Sequence, residues 1–179
     1  TLISPDEMHQ LHQLCTEHNG ALLVDEIYQQ LVYQQPAKTV LSITDDAFVI
    51  NSFSKFFGMT GWRLGWLVAP TAAVDAMEVL AQNMFISMST PAQYAALAGF
   101  GQECQAELKS RLGELQQRRD YLVGALKGLG FGVECEPQGA FYIYANIRAV
   151  TELASQAFCL KLLEEQGVAV TPGTDFGYH

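Results

Sequence analysis

Three short, unbroken apolar runs constrain this chain more than any other feature: Ala21-Leu22-Leu23-Val24, Ala47-Phe48-Val49-Ile50 and Leu64-Gly65-Trp66-Leu67-Val68-Ala69. They are too short for helices and show no polar alternation. Runs of this kind suit strands buried on both faces, as in a parallel sheet. Ahead of the first run, Ser4-Pro5-Asp6-Glu7 predicts a helix start: Ser4 caps, Pro5 suits the first turn and Glu7 completes a capping box. Met8, Leu11, Leu14 and Cys15 follow at helical spacing, and His18-Asn19-Gly20 ends the helix. A helix and then strands joined through loops predict an α/β domain with a mainly parallel sheet.

Further on the pattern changes. From Pro70 to about Gly128 the chain reads as helical, with Pro91 opening a new helix and Glu103 to Lys127 forming one long helix. After Gly130, Val133-Glu134-Cys135 and Phe141-Tyr142-Ile143-Tyr144 read as strands around a Pro137-Gln138-Gly139 turn. A helix over Thr151–Gln166 and a strand at Val168-Ala169-Val170 complete a smaller α+β portion. The expected division is residues 1–110 and residues 111–179. The chain opens on Thr1 rather than Met and stops in a loop, Phe176-Gly177-Tyr178-His179, so both ends are expected to be cut from a longer protein.

Composition narrows the function classes. A net charge of −9 argues against nucleic acid, which requires a basic face, and gives no attraction to an anionic membrane surface. No transmembrane run is present, and cytoplasmic placement is expected. The four cysteines, Cys15, Cys104, Cys135 and Cys159, are scattered without a C-x-x-C pair. Neither a metal site nor a disulfide framework follows from them, and they read as reduced core residues.

The chemistry concentrates in Ser52-Phe53-Ser54-Lys55-Phe56-Phe57-Gly58-Met59-Thr60-Gly61-Trp62-Arg63-Leu64-Gly65, between the second and third apolar runs. In open α/β sheets ligands bind outside the carboxyl ends of the strands. A lysine there is placed for nucleophilic, Schiff-base chemistry. Arg63 suits bidentate binding of a phosphate, and Ser52 and Ser54 offer hydroxyls to the same anion. Val24-Asp25-Glu26-Ile27-Tyr28 sets a carboxylate and then a phenol at the end of the first run. Each residue has a plainer reading by itself: Lys55 as a solvated charge, Asp25 as a cap, Tyr28 as a core aromatic, Ser52 as a loop cap, Arg63 as a stacking partner of Trp62 and Trp66. The ordered set shifts the balance.

That set resembles the class I/II aminotransferases of pyridoxal-phosphate (PLP) fold type I. Their pattern is D-E-x-Y followed by S-x-S-K-x-x-x-x-x-G-x-R-x-G, matched here by Asp25-Glu26-Ile27-Tyr28, Ser52-x-Ser54-Lys55 and Gly61-x-Arg63-x-Gly65. Pro137-Gln138-Gly139-Ala140-Phe141-Tyr142 is similar to the family's P-x-G-A-F-Y stretch, and Val170-Thr171-Pro172-Gly173-Thr174-Asp175-Phe176-Gly177 to its V-x-P-G-x-x-F-G loop. The resemblance runs in order along nearly the whole chain. It implies an α/β fold: an incomplete fold type I large domain and part of a small α+β C-terminal domain.

The resemblance also implies roles. Lys55 would hold pyridoxal 5'-phosphate as a Schiff base and then move a proton as general acid and base. Asp25 would pair with the ring nitrogen, Tyr28 would hydrogen-bond the ring O3′, and Arg63, Ser52 and Ser54 would anchor the phosphate. The substrates would be an L-amino acid and a 2-oxo acid, and the enzyme a homodimer. Tyr33 and Trp62 receive no role. Phe141 and Tyr142 read equally as substrate-side or small-domain core residues. Other parts of such a site are expected outside this chain: a phosphate-binding helix N-terminus, a ring-stacking aromatic, an Asn in an N-P-T-G motif and the arginine for the substrate carboxylate. Residues 1–179 alone are therefore expected to be inactive, with an open sheet edge and exposed apolar faces. Two other uses of the scaffold stay open, a PLP-dependent carbon–sulfur β-lyase and the aminotransferase-like sensor domain of a bacterial transcription regulator.

Overall fold

A computed structural model describes residues 2–177; Thr1, and Tyr178 and His179 of the expected terminal loop, lie outside the described residues. Helix α1 spans Pro5–Glu17 and begins as its sequence dictates. The Ser4 hydroxyl accepts from the Glu7 N–H at 3.2 Å, and the Glu7 carboxylate accepts from the Ser4 N–H at 2.8 Å. The Ser4 hydroxyl also donates to that carboxylate at 2.7 Å, and this bond first, then the Ser4 N–H, hold the Glu7 carboxyl below its ordinary pKa. Asn19, at φ 52°, turns the chain out of the helix.

The three apolar runs form one sheet: β1 (Leu22–Asp25), β2 (Ala47–Ser52) and β3 (Gly65–Val68), in that order. β1 pairs with β2 in parallel, Val24 opposite Val49, while β2 pairs with β3 antiparallel, Ser52 opposite Gly65. The α/β expectation holds, but this sheet is mixed: one of its two pairings is antiparallel. Nor are the strands buried on both faces. Ala47 and Val49 are buried, with Met8, Leu22, Val24, Leu41 and Val68 packed against Val40, Ala47 and Val49. The opposite face leaves Leu23, Ile50 and Leu67 exposed. Among the described residues, α1 helps cover one side through Met8, and the other is the exposed apolar face expected of residues 1–179 alone.

Three helices follow: α2 (Val74–Met84), α3 (Thr90–Ala98) with proline in its first turn, and the long α4 (Gln102–Gly128). Ala92 and Ala96 of α3 and Leu108 of α4 form a second core cluster with Phe53, Phe57 and Leu64. No helix among the described residues is long and apolar enough to cross a membrane.

The chain divides into two compact units. The first runs up to Gln116 and takes in Gln138–Ala140; the second holds Gln117–Pro137 and the residues from Phe141 on. Helix α5 (Ser155–Gln166) belongs to the second. It starts later than Thr151, whose hydroxyl instead accepts from the Leu153 N–H at 3.2 Å. The expected strands of this unit do not form. Val133–Cys135, Phe141–Tyr144 and Val168–Val170 form no ladder; the first two have only the isolated bridges Gly132–Asn146 and Val32–Gly139 beside them. A strand requires a neighbour that pairs residue after residue, and isolated bridges do not supply one. The cysteines are not core residues: Cys135 is exposed and Cys15, Cys104 and Cys159 are half-buried. The described residues include no cluster of His, Cys, Asp or Glu able to hold a metal ion.

Candidate active site

β1 and β2 run parallel and end together at Asp25 and Ser52, and the antiparallel β3 begins at that same end with Gly65. The sheet thus gathers the residues after β1, the residues after β2 and those before β3 at one edge. The six residues singled out by sequence, Asp25, Tyr28, Ser52, Ser54, Lys55 and Arg63, all lie there.

The loop between β2 and β3 is closed on itself. The Phe53 N–H donates to Leu64 O at 3.1 Å and the Met59 N–H to Phe53 O at 3.0 Å. The Thr60 hydroxyl donates to Ser54 O at 2.7 Å. Its aromatic residues anchor it: Phe53 and Phe57 are buried, with ring centroids 4.8 Å apart, and both meet the ring of Phe100. The intervening Ser54 and Lys55 stay half-buried. Gly65 is required where the loop rejoins the sheet, since a Cβ there would sit 2.7 Å from the Asn51 carbonyl oxygen.

The polar groups are oriented by local bonds. The Ser52 hydroxyl accepts from the Ser54 N–H at 3.0 Å and donates to Leu64 O at 3.3 Å. An Asp25 carboxylate oxygen accepts from the Ile27 N–H at 3.1 Å. Arg63 holds φ 52°, in the left-handed region that residues with a Cβ rarely adopt, and its guanidinium donates to Thr60 O at 3.0 Å. Strained backbone of this sort concentrates at functional sites. The Lys55 Nζ lies over the Tyr28 ring, 5.5 Å from its centroid.

One residue escaped the sequence reading. Glu26 is buried, and its carboxylate accepts from the Val40 N–H at 2.8 Å, tying the turn after β1 to the start of the Val40–Ser42 turn. Its position inside the D-E-x-Y stretch was the only available signal. Tyr33 has a place as well: its hydroxyl donates to the Ala140 carbonyl. Trp62 is half exposed. Phe141 and Tyr142 lie in the second unit, exposed, with ring centroids 4.7 Å apart, so neither is a core residue.

The family model for aminotransferase class I and II matches residues 1–179. The chain belongs to this family. Class I and II aminotransferases are pyridoxal-phosphate dependent, and the sequence-predicted cofactor follows from membership. The chain is 39% identical over 178 residues to the valine–pyruvate aminotransferase of Mycobacterium tuberculosis, covering 98% of this chain and 46% of that protein. An aspartate aminotransferase of Sulfurisphaera tokodaii is 36% identical, with 98% and 45% covered. Among solved aminotransferases, one from Mycobacterium tuberculosis superposes with a TM-score of 0.92 at 39% identity, over 99% of this chain and 46% of that one. An aromatic aminotransferase from Pyrococcus horikoshii gives 0.90 at 30% identity, over 98% and 48%. The chain thus spans about half the length of the curated relatives it matches.

Proposed function

We propose that the protein transfers the amino group of an L-amino acid to a 2-oxo acid, with pyridoxal phosphate held at Lys55. The observation that carries this reading is the position of the Lys55 Nζ, 5.5 Å over the Tyr28 ring at the sheet edge that also holds Asp25, Ser52, Ser54 and Arg63. The donor set fits the cofactor in kind. A guanidinium and two serine hydroxyls suit its phosphate, a carboxylate suits its ring nitrogen, and a lysine amine suits its aldehyde. When bound, the cofactor supplies an electron sink for the bonds at a substrate α-carbon.

The chain's own residues do the rest in this reading. Arg63, with Ser52 and Ser54, grips the phosphate. Asp25 keeps a proton on the ring nitrogen, its direction fixed by the Ile27 N–H. The Tyr28 hydroxyl donates to the ring O3′. Lys55 would carry a proton to and from the substrate α-carbon as general base and acid. We assign residues 1–110 to the cofactor-binding large domain and 111–179 to part of the small domain. The rest of the site, in this reading, lies outside residues 1–179, which alone are inactive, and the enzyme is a cytoplasmic homodimer. Support for burial against further protein comes from the apolar side chains exposed at the end of α2, among them Leu80, Met84, Phe85 and Ile86.

The test is an amino-transfer assay on the full-length protein, with ¹⁵N-labelled amino acids and a range of 2-oxo acids. Label appearing in the amino acid formed from the oxo acid supports transamination. Release of a thiol and ammonia from a cysteine thioether, without transfer, would point instead to β-lyase chemistry.

A further inference from the structure

Gly139 is set against the turn that carries Tyr28. A Cβ at Gly139 would lie 2.3 Å from the Leu31 carbonyl oxygen and 3.2 Å from the Val32 Cα. Side chains do not approach backbone so closely, so this contact admits only glycine. Hydrogen bonds make the approach. The Ala140 N–H donates to Leu31 O at 2.7 Å and the Tyr33 N–H donates to Gln138 O at 3.0 Å. Val32 and Gly139 form an antiparallel bridge, and the Tyr33 hydroxyl donates to the Ala140 carbonyl. Ala140 holds φ 57°, a conformation that persists in a residue with a Cβ when its surroundings enforce it.

Two hydrogen bonds connect this contact to Tyr28. Leu31 accepts from Ala140 through its carbonyl and donates from its own N–H to Tyr28 O at 2.9 Å. On the upstream side, the Gln29 N–H donates to Glu26 O at 2.9 Å and the Glu26 N–H to Ile50 O at 2.8 Å. The buried Glu26 carboxylate adds its bond to Val40. Tyr28 therefore rides on a short turn held at both ends: by the sheet before it, and by Gln138–Ala140 after it.

We propose that Gly139, together with Tyr33, is a positioning residue that sets Tyr28 over Lys55. Gln138–Ala140 acts as a backbone clamp on Leu31–Tyr33, and the turn passes that restraint back to Tyr28. The importance of this for catalysis rests on the reading of Lys55 and Tyr28 as site groups; the restraint on Tyr28 is a matter of structure alone.

The experiment compares crystal structures and cofactor absorbance for wild type, Gly139→Ala, Tyr33→Phe and Tyr28→Phe, all in the full-length protein. In G139A the added Cβ must push Gln138–Ala140 off Leu31. The Tyr28 ring is then displaced from its place over the Lys55 Nζ, and kcat falls on the order of tenfold to a hundredfold with KM little changed. The pH midpoint of the bound cofactor's absorbance shifts in the same direction as in Y28F, and adding G139A to Y28F moves it no further. Y33F adds no atom, so it gives the same result at smaller size, about fivefold in kcat, even if G139A does not fold. Tyr28 left in its wild-type place in the soluble variants, or midpoint shifts that add in full to that of Y28F, would overturn the proposal. Absence of a pyridoxyl adduct on Lys55 in wild type would overturn the functional reading separately, because the displacement of Tyr28 is seen with or without cofactor.

Discussion

Two aromatic-rich segments of this chain behave in opposite ways. Phe53–Leu64 closes into a bonded loop whose Phe53, Phe57 and Leu64 are each 8% exposed. Phe141–Tyr144, no less aromatic, forms no ladder, with Phe141 46% and Tyr142 55% exposed. The difference lies in the neighbours. The first segment joins two paired strands and drops its rings onto α3 and α4, whereas the second has no ladder of its own, only the isolated bridges at Gly139 before it and Asn146 after it. Apolar side chains supply the driving force, but paired backbone decides where that force can be used. A lysine on the first kind of segment is held in place; one on the second would not be.

Substitutions in the two units should differ most at Lys55. Lys55→Ala in the full-length protein should lower kcat on the order of 10⁴-fold, as losses of a covalent group do. Lys161→Ala on α5, which removes only a 3.9 Å ion pair with Glu165 on an exposed surface, should leave kcat within about twofold. Steady-state kinetics on both variants check this, and equal losses would break the contrast.

Stability should divide the same way. Phe57→Ala empties part of a buried aromatic cluster and should destabilise by about 3–5 kcal/mol, while Phe141→Ala, at an exposed site, should cost below about 1 kcal/mol. Urea unfolding monitored by circular dichroism measures both. A Phe141→Ala cost matching that of Phe57→Ala would mean that the second segment is packed after all.

Sequence and structure agree where local rules and burial point the same way. The Ser4 capping box, the Pro91 helix start, the length of α4 and the three strands of the sheet were all legible, because each is dictated by a few adjacent residues. The gathering of Asp25, Ser52 and Lys55 at one edge followed from parallel strands ending together. What was not legible depends on distant neighbours. Val168–Val170 has the composition of a strand but no paired neighbour among the described residues. The antiparallel return of β3 is set by the tight loop before Gly65, and the docking of Gly139 on Leu31 joins residues far apart in the chain.

Smaller effects separate the units further. Within the second, burial first, and then the Asp175 carboxylate, raise the Cys159 thiol above its ordinary pKa. A raised thiol pKa leaves less thiolate at a given pH, so Cys159 should be alkylated more slowly than the exposed Cys135 near neutrality, and Asp175→Asn should speed it. Mass spectrometry of timed iodoacetamide labelling reads both rates. In the first unit, the Glu7 carboxyl is lowered by its bonds to Ser4, so the capping box contributes above the ordinary glutamate pKa. That contribution is lost as pH falls through the lowered value. Amide exchange at the start of α1 should rise over that range, and Glu7→Gln should flatten the response.

Covalent labelling tests the role of Lys55. The protein is mixed with pyridoxal phosphate and reduced with borohydride, and the modified residues are mapped by mass spectrometry. A single pyridoxyl adduct on Lys55 is expected in the full-length protein. An adduct spread over Lys38, Lys109, Lys127 and Lys161, with none favoured at Lys55, would contradict it.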